Sequence, residues 1–148
     1  MKKTIVAVFV IFLLSASSVF ANNIGDVNQN VLANFNKEFA NAREVDWSIR
    51  TNLIKVTFRL NDQVYFAFYT KEGERVALAR NILSNQLPLG LHNEIRESYN
   101  GYWISDLFEV DGKEENAYYI TLENADSTIT LRSSGLSGWI TYKKSEKK

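Results

Sequence analysis

The chain has 148 residues, 17 of them basic and 17 acidic, with one histidine and no cysteine. The missing thiols exclude disulfides, thiolate catalysis and cysteine-bound metals, and a lone histidine cannot supply the several ligands of an ordinary zinc site. A balanced charge, without the basic surplus that phosphate backbones demand, excludes a dedicated nucleic-acid binder.

Residues 1–21 read as a signal peptide. Lys2 and Lys3 form a positive start, Ile5 to Leu14 is an unbroken apolar run, and Val19 and Ala21 fit cleavage after Ala21. The run is too short for a bilayer span, which needs about 20 residues. The mature chain is therefore expected to lack a stable membrane anchor and to be periplasmic or extracellular. Cleavage leaves 127 residues, in which 15 basic side chains face 17 acidic ones. That length suits one compact domain, residues 22–148.

Asp26 is the predicted helix cap, and Val27, Val31, Phe35 and Phe39 recur every four residues to give one apolar stripe ending near Asn41. Val45 to Ile49 reads as a short strand around Trp47, a core candidate. Ile54, Val56, Phe58 and Leu60 alternate with polar residues, the pattern of a strand with one dry face. Turns at Asn61-Asp62 and Lys71–Glu74 separate it from strands at Gln63–Thr70 and Arg75–Arg80, an antiparallel meander. After a boundary at Asn81–Leu87, Pro88 opens a second helix with Leu91, Ile95 and Tyr99 on its apolar stripe, stopped by Asn100-Gly101. Strands then follow around Tyr102–Ile104, Ala117–Glu123, Ser127–Arg132 and Trp139–Lys143, with a turn at Asp111-Gly112.

Residues 26–81 and 84–143 overlay: Phe39 falls on Tyr99, Trp47 near Trp103, Thr57 on Thr121 and Gly73 on Gly135. The expected fold is α+β, a tandem duplication of a helix plus a four-stranded antiparallel meander, with the helices packed on one face of the sheet.

Phe35 and Phe39, the strand Val45-Asp46-Trp47, the run Ile54–Phe58 and the strand-turn Tyr69–Gly73 carry a resemblance, repeated at Tyr99, Tyr102–Ile104, Tyr118–Leu122 and Gly135. In these residues the chain resembles the PepSY-like family of exported bacterial proteins, whose fold is similar to that of β-lactamase inhibitor proteins. The resemblance implies helix-plus-four-strand units, with the face opposite the helices open to a partner. It also implies binding or restraint of another protein, such as a peptidase.

The residues themselves offer little chemistry. His92 has no nucleophile elbow around it and reads as a helix-edge residue. The acidic stretch Asp106, Glu109, Asp111, Glu114 and Glu115 lacks calcium-loop spacing, because Leu107 and Tyr118 would fall at the first and last ligand positions. No metal and no cofactor is expected, and the chain is not expected to be an enzyme. The remaining signal is aromatic: Val64, Phe66 and Phe68 lie on one side of a strand, Tyr65 and Tyr69 on the other. The overlay points to Tyr65 and Tyr69 as core and Phe66 and Phe68 as exposed, whereas tyrosines are the usual surface-facing aromatics at interfaces, so which sheet face is exposed stays open. Tyr65, Phe66, Phe68, Tyr69, Trp103, Tyr119 and Trp139 are the candidate binding residues. The function expected is non-catalytic engagement of a protein or peptide across the open sheet face, inhibition being one form of it. The alternative is a small-molecule or ion binder using a groove between helices and sheet.

Overall fold

A computed structural model describes residues 24–148; the signal-peptide reading falls outside them. A single 3₁₀ turn, Ile24–Asp26, precedes helix α1, Gln29–Glu38. The cap is Asn28, not the expected Asp26: its side chain accepts the Asn30 N–H at 2.8 Å, which satisfies one of the free amides of the first turn. Strands β1 (Arg43–Ile49), β2 (Ile54–Leu60), β3 (Gln63–Tyr69) and β4 (Arg75–Asn81) follow. A second 3₁₀ turn leads to α2, Leu89–Ser98. The chain ends in β5 (Trp103–Gly112), β6 (Asn116–Glu123), β7 (Ser127–Ser133) and β8 (Ile140–Glu146). β5 runs through the expected Asp111-Gly112 turn, and the reversal falls on Lys113–Glu115 instead, closed by the Gly112 N–H donating to the Glu115 carbonyl at 3.2 Å.

All eight strands form one antiparallel sheet in the order β1 to β8. This corrects the expected tandem of helix-plus-four-strand units. β4 pairs with β5 from Ala77–Gly112 to Asn81–Phe108, so the sheet has no break at its middle. The molecule is mostly sheet with two helices, and its packing crosses the middle too: Phe68, Ala77 and Ala79 share a cluster with Phe108, Val110, Ala117 and Tyr119.

The two helices lie on one face. α1 presents Val31 and Phe35 to Trp47, Val56, Phe58, Ala67 and Tyr69 of β1 to β3. Phe35 is the hub, edge-on to Trp47 at 5.2 Å and to Phe58 at 5.1 Å, the geometry in which ring edge meets ring face. α2 presents Leu91 and Ile95 to Leu107, Ile120, Leu122, Ile129 and Leu131 of β5 to β7. The alternation that puts these residues toward the helices puts Phe66, Phe68, Phe108 and Tyr119 on the opposite, helix-free face.

Four strands carry an extra residue against their neighbours. In β1 the register slips between Arg43 and Asp46, where Glu44 takes a φ of +52°. In β8 the slip lies opposite Thr130 and Leu131 and leaves Tyr142 as the extra residue. Val76 in β4 and Ser105 in β5 are extra in the same way. The first two are the edge strands of the sheet.

Trp47 is 8% exposed and packs on Phe35. Trp47→Ala should lower unfolding stability by about 3–5 kcal/mol, measured by denaturant titration; a loss under about 1 kcal/mol would place the indole outside the core.

Candidate interaction face

The helix-free face is built from short cross-strand rows. Thr57, Phe66 and Ala79 lie opposite one another across β2 to β4, and Ala79 continues to Val110 and Ala117. Asn81, Phe108, Tyr119 and Arg132 form a second row. Asp106, Thr121, Thr130 and Lys143 form a third. The alanines at the centre leave room for the rings beside them. Phe68 is 0% exposed although no helix covers it. Its cluster includes Leu53, from the β1–β2 loop, with Ala77, Phe108 and Tyr119 of the same face.

Two aromatic pairs on this face each join a half-buried ring to a buried one. Phe66, half-buried, meets Phe108 edge-on at 5.9 Å, with the Lys55 ammonium 4.8 Å above its ring. Tyr142, also half-buried, stands perpendicular to Tyr119 at 5.8 Å. The β8 bulge re-aims Tyr142 onto this face. Arg132 donates from Nε to the Tyr119 hydroxyl at 3.1 Å and pairs with Glu115 through Nη2. Cations held over or against rings in this way gain from the ring quadrupole.

Burial moves several titratable groups on this face. Burial, then the nearby Arg50 guanidinium, pulls the Lys55 ammonium down. Burial, then the Glu123 carboxylate, pushes the Asp106 carboxyl up. Burial raises the phenols of Tyr119 and Tyr142. Thr121 and Thr130, nearly buried, meet hydroxyl to hydroxyl at 3.4 Å.

The seven candidate residues do not form one surface. Phe66, Phe68 and Tyr119 come together on the helix-free face, but Phe68 is fully buried there and is not the exposed residue expected. Tyr65 stacks on Phe58 at 5.8 Å on the helix side. Tyr69 is wholly buried on that side, its hydroxyl donating to Glu38 at 3.4 Å, and burial followed by that carboxylate drives its phenol far up. Trp139 is buried against α2, its indole N–H donating to the Leu91 carbonyl at 3.0 Å. Trp103 is exposed at the start of β5, with the Lys147 ammonium 5.0 Å above its ring. Lys55, Asp106, Phe108, Arg132 and Tyr142 were missed. Phe108 could have been found from the alternation with Leu107; Tyr142 depends on a bulge that leaves no sequence signal.

The acidic stretch is dispersed. Glu109 pairs with Arg80 at 2.7 Å, Asp111 lies 3.8 Å from Arg75, and Glu115 meets Arg132. Among the described residues no group of three His, Asp or Glu side chains could hold a metal. His92 is half-buried on α2, on the other side of the sheet from the face just described. The helix side has two grooves. One, of about 220 Å³, lies over β4 and β5 beside Tyr65, Arg80 and Glu109. The other, of about 410 Å³, lies between α1 and the β3–β4 turn beside Glu38, Tyr69 and Arg75. Among the described residues no helix is long and apolar enough to cross a membrane.

Three solved structures share this architecture. A DUF2874 family protein from Bacteroides ovatus is 18% identical, over 80% of this chain and 86% of that one, with a TM-score of 0.69. A BLIP-like protein from Bacteroides fragilis is 15% identical, over 80% and 85%, with a TM-score of 0.67. The fold is BLIP-like. A candidate periplasmic protein from Bacteroides eggerthii has a TM-score of 0.72 at 12% identity, over 81% and 88%. At such identities the likeness is one of fold alone. No family model matches the chain, the PepSY-like family included, and no curated protein matches it.

The raised Asp106 carboxyl sets a direction for pH. Its folded state binds a proton more readily than its unfolded state, so its contribution to stability grows as pH falls through the window above 3.8 and is unfavourable at neutral pH. Asp106→Asn should therefore raise Tm at pH 7 and reduce the gain that the native chain shows on mild acidification, both read by thermal melts from pH 7 to 4.

Proposed function

We propose that this is an exported, non-catalytic binding protein whose helix-free sheet face engages a protein or peptide. The observation that carries this reading is the placing of two half-buried rings beside cation–ring contacts on that face: Phe66 under Lys55, and Tyr142 against the buried Tyr119, which Arg132 touches. Aromatic residues and arginine are the side chains on which protein interfaces concentrate their energy.

The mode of contact follows from the sheet's edges. Both edge strands carry a bulge, at Glu44 in β1 and Tyr142 in β8, and β8 also carries Lys143 and Lys144. Bulges and lysines are the devices that keep an edge from accepting another strand. Recognition across the face, rather than by strand addition, fits this arrangement. The signal-like start at residues 1–21 and the likeness to a candidate periplasmic protein support a periplasmic or extracellular site of action for residues 22–148 as one domain. The likeness to a BLIP-like protein and the PepSY-like residues favour a protein partner, with inhibition of a secreted enzyme as one outcome. The groove of about 410 Å³ beside Tyr69 supports a second reading, a small ligand held between α1 and the sheet.

Affinity capture from the native envelope and secretome with residues 22–148, against a Phe66→Ala/Tyr142→Ala variant, tests the first reading. The expected partner binds the native chain and is weakened about 10-fold or more by the double substitution, while Leu89→Ala, on the exposed side of α2, leaves it unchanged. A partner held equally by all three would place the contact elsewhere.

A further inference from the structure

We propose that the β7–β8 loop, residues 134–139, is a preformed finger that inserts Leu136 into an uncharged apolar pocket of a folded protein partner. This rests on the reading that the chain binds a protein, and adds a second contact to the helix-free face. Leu136 is 98% exposed, and Ile140, at the start of β8, is 57% exposed. Single exposed apolar residues are ordinary on mobile loops. This loop is tied on both sides of Leu136 instead. Ser133 Oγ donates to the Ser137 carbonyl at 2.6 Å and accepts the Gly135 N–H at 3.0 Å. The Glu94 carboxylate on α2 accepts the Trp139 N–H at 3.2 Å, and the Trp139 indole is anchored on the Leu91 carbonyl.

Gly135 is needed for this conformation, and Gly138 brings the chain against the Glu94 carboxylate. Gly135 has a φ of +86°, and a Cβ there would come within 3.1 Å of the Tyr118 ring. A Cβ on Gly138 would lie 2.6 Å from Glu94 Oε2. A loop fixed so closely loses little conformational entropy on binding, so its tip can contribute most of its burial energy to a complex. The chemistry of the pocket follows from the finger. Residues 134–140, Ser-Gly-Leu-Ser-Gly-Trp-Ile after Ser133, carry no charge, so the complementary surface is apolar and neutral. The finger adjoins the proposed face: Ile140 lies directly opposite Arg132, whose side chain reaches Tyr119.

A photoreactive leucine analogue at position 136 and a photoreactive phenylalanine at position 66, each in the otherwise native chain, are irradiated in cells that make the protein. The expected result is a discrete adduct from position 136. The purified partner identified from it should bind the native chain, lose about 10- to 100-fold in affinity on Leu136→Ser, and recover on Leu136→Met, with Tm unchanged in both variants. No adduct at 136 alongside an adduct at 66 overturns the finger and leaves the face. No adduct at either position overturns both. An adduct at 136 whose partner binds Leu136→Ser as well as the native chain also overturns the finger.

Discussion

The pairing of β4 with β5 is the contact on which the rest of the molecule depends. Each half could lay a helix against its own strands, and the clusters under α1 and α2 are separate. The helix-free face is different, because its cluster exists only where the two halves are joined. Phe68, Ala77 and Ala79 arrive from one side of the seam, Phe108, Val110 and Tyr119 from the other. The hydrogen bonds from Ala77–Gly112 to Asn81–Phe108 fix these two groups in register, and a slip of one residue would turn every one of them to the wrong face. The small side chains at the seam are part of the same solution. A leucine at Ala79 would compete for the space that Phe66 and Phe108 share.

That face combines two requirements that oppose one another. Burial of Phe68, Phe108 and Tyr119 stabilises the sheet, while burial on the same face moves the Lys55 ammonium down and the Asp106 carboxyl up. The helix side shows the contrasting case: its charges are paired at the rim, Arg80 with Glu109 and Arg75 with Glu38, above an apolar layer.

Much of the architecture was legible. The period of four in Val27, Val31, Phe35 and Phe39, and the alternation from Ile54 to Leu60, correspond to α1 and β2, whereas β3 is apolar on both sides and leaves open whether Tyr65 and Tyr69 or Phe66 and Phe68 face the helices. The joining of the halves into one sheet was not legible, because hydrophobic alternation says which face a residue takes and nothing about which strand lies beside it. Phe68 is buried for a related reason: Leu53 from the β1–β2 loop and Phe108, Val110 and Tyr119 from across the seam join its cluster, neighbours that strand parity does not reveal. Tyr142 escaped entirely, since its direction comes from an inserted residue in β8 and not from parity. Trp139 was recognised as an important aromatic, but its partner, the Leu91 carbonyl, lies 48 residues away.

That separation bears on how the chain reaches its final form. α2 obtains its tie to Trp139, and the support of Glu94 beneath the last loop, only when the end of the polypeptide has arrived. The first helix has no such debt, since Phe35 finds Trp47 and Phe58 close by in the chain. Contacts with long closures form late. The N-terminal layer can therefore assemble while the C-terminal one is still waiting, and the seam strand β4 stands ready as the template on which the second half condenses.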